Sequence, residues 1–385
     1  MKLFHTADWH LGKLIHGVYM TEDQEYVLNQ FIGAIERERP DAVIIAGDLY
    51  DRAIPPTEAV DLLNRVLKTI VVDLRTPVLA VAGNHDSPDR IHFGSELMKA
   101  QGLHIVGQFQ YPYKPVSLED EHGEVHFHLI PYADPSIVRH VMENEDIRSH
   151  DDAMRVLIDC IVQTMDKNAR HIFVGHAFVT PFGEAEENTS ESERPLSIGG
   201  AEYVNSHYFS LFHYTALGHL HQAHYVRDER IRYAGSPLKY SISEENHRKG
   251  YYVVELDQKG DITVEKQELM PLRDMRTIEG RLEDLLQHEV CEDYVFVKLL
   301  DDTPVLQPME KIRSVYPNAM HVERALRRQE TNKGEETVVA RHKMDDVSLL
   351  QAFYKEMRGA ELSKAKQQIF FEVLEEVQKR EGERK

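Results

Sequence analysis

Five short polar clusters carry side chains suited to divalent metal ions: Asp8-Trp9-His10, Gly47-Asp48-Leu49-Tyr50-Asp51, Gly83-Asn84-His85-Asp86, Gly175-His176 and Gly218-His219-Leu220-His221. Pooled, they offer carboxylates, imidazoles and one amide, the donors of hard and borderline cations. Neither cysteine, Cys160 or Cys291, falls in a cluster, which disfavours a thiolate zinc or iron–sulfur centre. Asp8 and His10 are two positions apart, as are His219 and His221. In an extended segment that spacing puts both side chains on one side. Two cations about 3.5–4 Å apart need a bridging ligand, and a carboxylate has the two oxygens to bridge. Asp48, after the central apolar run, is the best bridge candidate. Taken alone, Asp48 also reads as a turn cap and His85 as a surface histidine.

Each cluster follows a strand-like run: residues 3–6, 41–46, 78–82, 171–174 and 214–217. A glycine at a strand end lets the backbone turn sharply and leaves room in a crowded site. Between these runs lie helical patterns. Residues 21–39 have apolar positions at Val27, Leu28, Phe31, Ile32 and Ile35, and Thr21 and Gln24 have capping-box spacing. Residues 57–74 and 149–165 read as further helices, with Asp152 three places after the N-cap candidate Ser149. Residues 231–234 and 250–256 are strand-like, and the acidic stretch 184–194 reads as an exposed loop. Alternating helices and strands indicate an α/β layer structure, in which function gathers at the carboxyl ends of strands.

The composition shifts after Pro271. Strand-like 294–299 and 319–326 with helix-like 308–315 suggest a small α+β unit. A charged link, 328–337, then leads to two amphipathic helices, one carrying Val347, Leu350, Phe353 and Met357 and the other Leu362, Ile369, Phe370 and Val373. The expected domains are 1–272, 273–340 and 341–385.

Composition sets limits. The formal net charge of −20 opposes unaided binding to a nucleic-acid backbone, which needs cationic side chains to displace counterions. Two distant cysteines make no disulfide framework, so a reducing cytoplasm is expected, with Cys160 a buried, inert thiol. No apolar window reaches the roughly 18 residues of a membrane span. Trp9 reads as packing, and His126 and His128 as ordinary strand residues.

In order, the clusters spell D-x-H, G-D-x-x-D, G-N-H-D, G-H and G-H-x-H. This set resembles the calcineurin-like metallophosphoesterase superfamily. The resemblance implies an α/β fold: a β-sandwich flanked by helices, with a small α+β capping domain and C-terminal helices. It implies one metal held by Asp8, His10, Asp48 and His221 and a second held by Asp48, Asn84, His176 and His219. His85 would be the general acid, oriented by Asp86; Asp51 is left outside the ligand set.

Residues 1–12, 46–51 and 81–87 are further similar to the bacterial nuclease subunits that work with an SbcC-type coiled-coil ATPase. That similarity implies a manganese-dependent DNA nuclease of repair, recombination and replication, a 3′→5′ double-strand exonuclease and a single-strand and hairpin endonuclease. It implies a homodimer, a heterotetramer with the ATPase, and a helix–loop–helix at 341–385 that grips the partner. Lys311, Arg313, Arg324, Arg327 and Arg328 would meet phosphates or form a solvated face. A nucleotidase or cyclic-nucleotide phosphodiesterase would share the seven ligands, but the C-terminal length argues against it. A non-catalytic scaffold would have lost ligands, and here every one is present.

Overall fold

The computed structural model describes residues 1–183, 190–193 and 202–324, with Gln351, Tyr354, Ser363 and 366–368. Most of the expected acidic loop, the charged link, Arg327, Arg328 and nearly all of the C-terminal helix pair lie outside the described residues. The chain divides into two compact units. One gathers Met1–Thr277, Val290–Phe296 and Tyr316–His321; the other gathers Ile278–Glu289, Val297–Val315 and the described residues from Val322.

The first unit is built on two six-stranded sheets. One runs in the order Ile262–Glu268, Gly250–Leu256, Lys2–Thr6, Ala42–Ala46, Val78–Val81, Leu103–Val106. Its last four strands are parallel, and the first two pair antiparallel. The other runs His224–Val226, Asp228–Tyr233, Tyr214–Gly218, Arg170–His176, Gly123–Ile130, Val116–Asp120, parallel in its four inner strands.

The inner strands are apolar at nearly every position because both faces are covered. Leu3, Ile44, Leu79, Phe127, Ile172 and Ala216, drawn from both sheets, fill one shared core. Thr21–Glu38 and Thr57–Lys68 cover the outer face of the first sheet, where Phe31 and Leu62 pack beneath Val43 and Val78. His150–Thr164 covers the outer face of the second. The unit is thus a helix-flanked β-sandwich, as the family resemblance implies.

Several local expectations changed. The helix expected over 57–74 stays α-helical only through Lys68 and loosens into a π-turn over Thr69–Asp73. That stretch is Thr69-Ile70-Val71-Val72, a β-branched run that crowds an α-helix, and Thr69 Oγ1 donates to the Arg65 carbonyl. The capping box at Ser149 and Asp152 forms. The one expected at Thr21 and Gln24 does not: Met20 is the N-cap, without a side-chain cap. Cys160 is half-buried rather than buried, and both thiols are free.

Beyond residue 274 lie the strands Met275–Gly280, Tyr294–Leu299 and His321–Arg324 and the short helices Leu282–Leu285 and Pro308–Ile312. Of the expected basic stretch, Arg324 spends its guanidinium on the carbonyls of Asp301 and Asp302. Among the described residues, no helix is long and apolar enough to cross a membrane.

At the edge of the second sheet, Arg170 bonds Asp120 through both guanidinium nitrogens, at 3.0 and 2.5 Å. Burial pushes the Asp120 carboxyl up, but Arg170 and the Met1 ammonium at 2.9 Å outweigh it and hold it well below the usual range. A depressed carboxyl stabilises the fold above its unfolded pKa of about 4, and that stability is lost as pH falls through the folded value. Asp120→Asn is therefore expected to cost about 3 kcal/mol at pH 7. In urea denaturation the gap to wild type should hold from pH 7 to 5 and narrow below about pH 4; a pH-independent gap would discount the ion pair.

Candidate metal centre

The seven residues expected as ligands come together where five parallel strands end, three in the first sheet and two in the second. Asp8 and His10 follow Lys2–Thr6, Asp48 follows Ala42–Ala46, and Asn84 follows Val78–Val81. His176 closes Arg170–His176, and His219 and His221 follow Tyr214–Gly218. Asp8, His10, Asp48, His176, His219 and His221 are all buried.

Asp8 and His10 do not converge by strand alternation. Both have left-handed backbones (φ 53° and 45°), as do Asp48 (φ 50°) and His219 (φ 112°). Such conformations cost non-glycine residues energy and persist where the surroundings fix them. The fixing bonds are present. Asp8 N–H donates to the Gly47 carbonyl (3.0 Å), His10 N–H to that of Asp48 (2.9 Å) and Leu11 N–H to that of Leu49 (2.9 Å), so the two loops zip together past their strands.

Gln24 finishes the job from the first helix. Its Nε2 donates to the carbonyls of Trp9 (3.1 Å) and His10 (2.8 Å), and its Oε1 accepts from Gly12 N–H at 3.1 Å. This is the residue that sequence spacing cast as part of a cap. Trp9 itself is packed against Phe31 with its indole N–H on Thr6 Oγ1. Two glycines are required by space: a Cβ on Gly83 would overlap the Asp48 carboxylate, and one on Gly47 the His176 ring.

The donor atoms face one another. His176 Nδ1 lies 3.0 Å from the Ala46 carbonyl, so it carries the hydrogen and leaves Nε2 a bare lone pair. That nitrogen looks at Asn84 Oδ1 at 2.9 Å and Asp48 Oδ2 at 3.5 Å. His221 Nδ1 faces Glu244 Oε1 at 3.1 Å, so its Nε2 too is a lone pair, 3.1 Å from His10 Nε2. His10 Nδ1 is buried without a hydrogen-bond partner. The carboxylates of Asp8 and Asp48 both lie within reach of His176, and His219 N–H donates to Asp8 at 3.0 Å.

Electrostatics favours the same conclusion. Burial holds His10 and His219 well below the usual imidazole range and His176 down to about 4, so these rings are neutral. Burial, reinforced by the Asp48 charge, lifts Asp8 well above the carboxylate range, and burial lifts Asp48 as well. The bare His176 Nε2 against Asn84 Oδ1 and two buried carboxylates repel unless a cation sits among them. The donor set therefore fits divalent metal ions: Asp8, His10 and His221 form one close group, and Asp8, Asp48 and His176 another.

His85 Nδ1 lies 2.9 Å from the Asp51 carbonyl, so it is a donor there. Asp86, expected to orient His85, does something else. Its carboxylate accepts N–H bonds from Leu49 (3.1 Å), Tyr50 (2.9 Å) and Gly83 (2.9 Å), tying the Asp48 loop to the Asn84 loop. Burial and the Asp48 charge push its carboxyl up to about 7. Asp51 pairs with Lys13 at 2.8 Å and more loosely with Arg52 at 3.5 Å. His126 and His128 lie on Gly123–Ile130, away from these groups.

Sequence reading missed a layer behind His221. Glu244 and Lys249, both buried, pair at 2.5 Å, and Lys249 Nζ also donates to the His221 carbonyl and to Ser236 Oγ, each at 2.8 Å. Glu193 accepts the His221 N–H at 2.7 Å. Glu193 sits in the stretch 184–194 that reads as an exposed loop, where charge normally means solvent.

Chelation gives a direct check. A metal at 100 times its Kd should stabilise the wild type by about 2.7 kcal/mol, visible as a rise in Tm that a chelator reverses. Asp48→Asn removes a buried like charge and keeps an acceptor for the His85 N–H. It should raise the metal-free Tm and abolish the metal-linked rise; an unchanged rise would remove Asp48 from the centre.

The calcineurin-like phosphoesterase family profile matches residues 1–223, and the type 5 capsule protein repressor C-terminal domain profile matches 271–358. A curated relative, the SbcD subunit of nuclease SbcCD from Staphylococcus epidermidis, is 34% identical over 386 residues, covering 99% of this chain and 100% of its own. Among solved structures, a dimetal phosphatase from Danio rerio shares 12% identity at a TM-score of 0.39, covering 70% of this chain and 96% of its own. A Thermus thermophilus protein has the same identity, TM-score and coverage of this chain, with 99% of its own chain covered. With residues 1–223 matched by the family profile and a relative aligned over 99% of the chain, this chain belongs to the calcineurin-like phosphoesterases and, within them, to the SbcD family of nuclease subunits.

Proposed function

We propose that the chain is a metal-dependent DNA nuclease, a phosphodiester hydrolase that works with an SbcC-type coiled-coil ATPase. The observation that carries this reading is the buried convergence of nitrogen and oxygen donors at the carboxyl ends of five strands, in a chain related throughout to a nuclease subunit. Asp8, His10, Asp48 and His221 would hold one ion, and Asp48, Asn84, His176 and His219 the second. Manganese suits this mixed nitrogen–oxygen set. When bound, the ions supply Lewis acidity toward the phosphate oxygens and activate water for in-line attack.

The chain's own groups do the rest. His85 protonates the departing sugar oxygen. Its Nδ1–H is committed to the Asp51 carbonyl, so the proton leaves from Nε2 of the imidazolium. Asp86 holds the loops of Asp48 and His85 at fixed separation by its three N–H bonds. Gly83 keeps the space beside Asp48 open.

The net charge of −20 makes a partner's cationic surface the natural source of affinity for the DNA backbone. With that partner the chain would act as a homodimer within a heterotetramer. It would degrade duplex ends 3′→5′, cut single strands and open hairpins.

The test is cleavage of linear duplex DNA with Mn²⁺, alone and with an SbcC-type ATPase plus ATP. Nucleotide release is expected, and greater with the partner. His85→Gln can hydrogen-bond but cannot protonate a leaving group; it should retain two Mn²⁺ and lose about 10²–10⁴-fold in rate. Hydrolysis of a cyclic nucleotide with no action on DNA under either condition would overturn the nuclease reading.

A further inference from the structure

We propose that Glu244 and Lys249 are positioning residues for the metal centre: a buried, charge-balanced clamp that locks His221 in the Nδ1–H tautomer and so delivers its Nε2 lone pair to a metal. The inference rests on the metal reading given above and adds residues to which that reading assigns no role.

The geometry closes on His221 from three sides. Its backbone N–H donates to Glu193 Oε1 at 2.7 Å. Its carbonyl accepts from Lys249 Nζ at 2.8 Å. Its ring Nδ1 faces Glu244 Oε1 at 3.1 Å and Ser192 Oγ at 2.7 Å. The Ser192 hydroxyl is itself a donor to Glu244 Oε1, so the serine proton is spent and Nδ1 must supply its own. The remaining polar atom, Nε2, points at His10 Nε2, 3.1 Å away. A histidine with every other polar atom engaged has one way to present a lone pair.

The clamp is held in turn. Glu244 is fully buried, and its second oxygen takes the Lys249 ammonium at 2.5 Å and the Tyr240 N–H at 3.3 Å. Lys249 gives its remaining hydrogen to Ser236 Oγ at 2.8 Å, which passes a bond to the Leu238 carbonyl. Ser236 thus anchors the ammonium. A buried ion pair of this kind is seldom favourable for stability by itself. Carboxylates behind ligating histidines fix the tautomer and ring orientation, and that is the role this pair fits.

Two charge-balanced variants separate the acceptor from the charges. Both carry Ser192→Ala, so that no hydroxyl can take over. In Glu244→Gln/Lys249→Met an oxygen still faces Nδ1–H; in Glu244→Leu/Lys249→Met none does. Calorimetric titration of the full chain with Mn²⁺ should find two ions bound to wild type and to the Gln variant with matching affinities. The Leu variant should bind one of the two about 10–100-fold more weakly. Equal binding by the Leu variant, or equal weakening in both variants, would overturn the proposal.

A readout on wild type needs no variant to fold. With ¹⁵N-labelled histidine, two-bond ¹H–¹⁵N correlation of the metal-free chain should show His221, assigned by loss of its signal in His221→Asn, as the Nδ1–H tautomer. The Nε2–H tautomer would sink the clamp. Wild type binding no Mn²⁺ would instead sink the metal reading, and the tautomer would still decide whether Glu244 sets the ring.

Discussion

Lone pairs facing lone pairs, inside protein, are the constraint around which this molecule is arranged. His176 Nε2 faces Asn84 Oδ1 with its hydrogen committed to the Ala46 carbonyl, and His221 turns a bare Nε2 toward the His10 ring, whose Nδ1 is buried without a partner. Two carboxylates, Asp8 and Asp48, add like charge to the same buried space. A folded chain tolerates such a place only if the surrounding structure holds it open and a cation completes it. The sandwich core, the zipped loops and the Gln24 anchor all serve to hold those groups where they repel.

The support is layered. Regular hydrogen bonding carries the strands to the rim, and irregular bonds carry the chain a few residues further: Asp8 to Gly47, His10 to Asp48, Leu11 to Leu49. Asp86 and Gln24 then fasten loops to one another with side-chain bonds to backbone groups. Four left-handed residues sit within this mesh. Strain of that kind survives because backbone groups beside it are paired. Flexible loops could not present donors at such short separations.

Much of this was legible in the sequence. The five strand-ending clusters give the donors, because ligand chemistry shows in residue type, and the apolar runs give the sandwich, because a strand covered on both faces must be apolar along its length. The Ser149 cap was legible because its partner Asp152 is local. What was hidden depends on distance. Gln24 looked like a local cap and instead reaches Trp9, His10 and Tyr240. Asp86 looked like a neighbour's orienter and instead collects backbone hydrogens from two loops. Glu244 and Lys249 carry no local signal in the sequence, because their mutual pairing and their contact with His221 arise only on folding. The strand-alternation argument for Asp8 and His10 named the right pair for the wrong reason, since left-handed turns bring the side chains inward.

The donors are shared between the two sheets. Asp8, His10, Asp48 and Asn84 hang from the first, and His176, His219 and His221 from the second. Neither sheet by itself carries a complete set, and the farthest members are more than two hundred residues apart along the chain. The ions would act as rivets across the sandwich, so chelation should mature only once the halves have closed on each other. A nascent or half-folded chain would then be a poor scavenger of metal and inert toward nucleic acid, and hydrolytic competence would appear in one step with completion of the native packing.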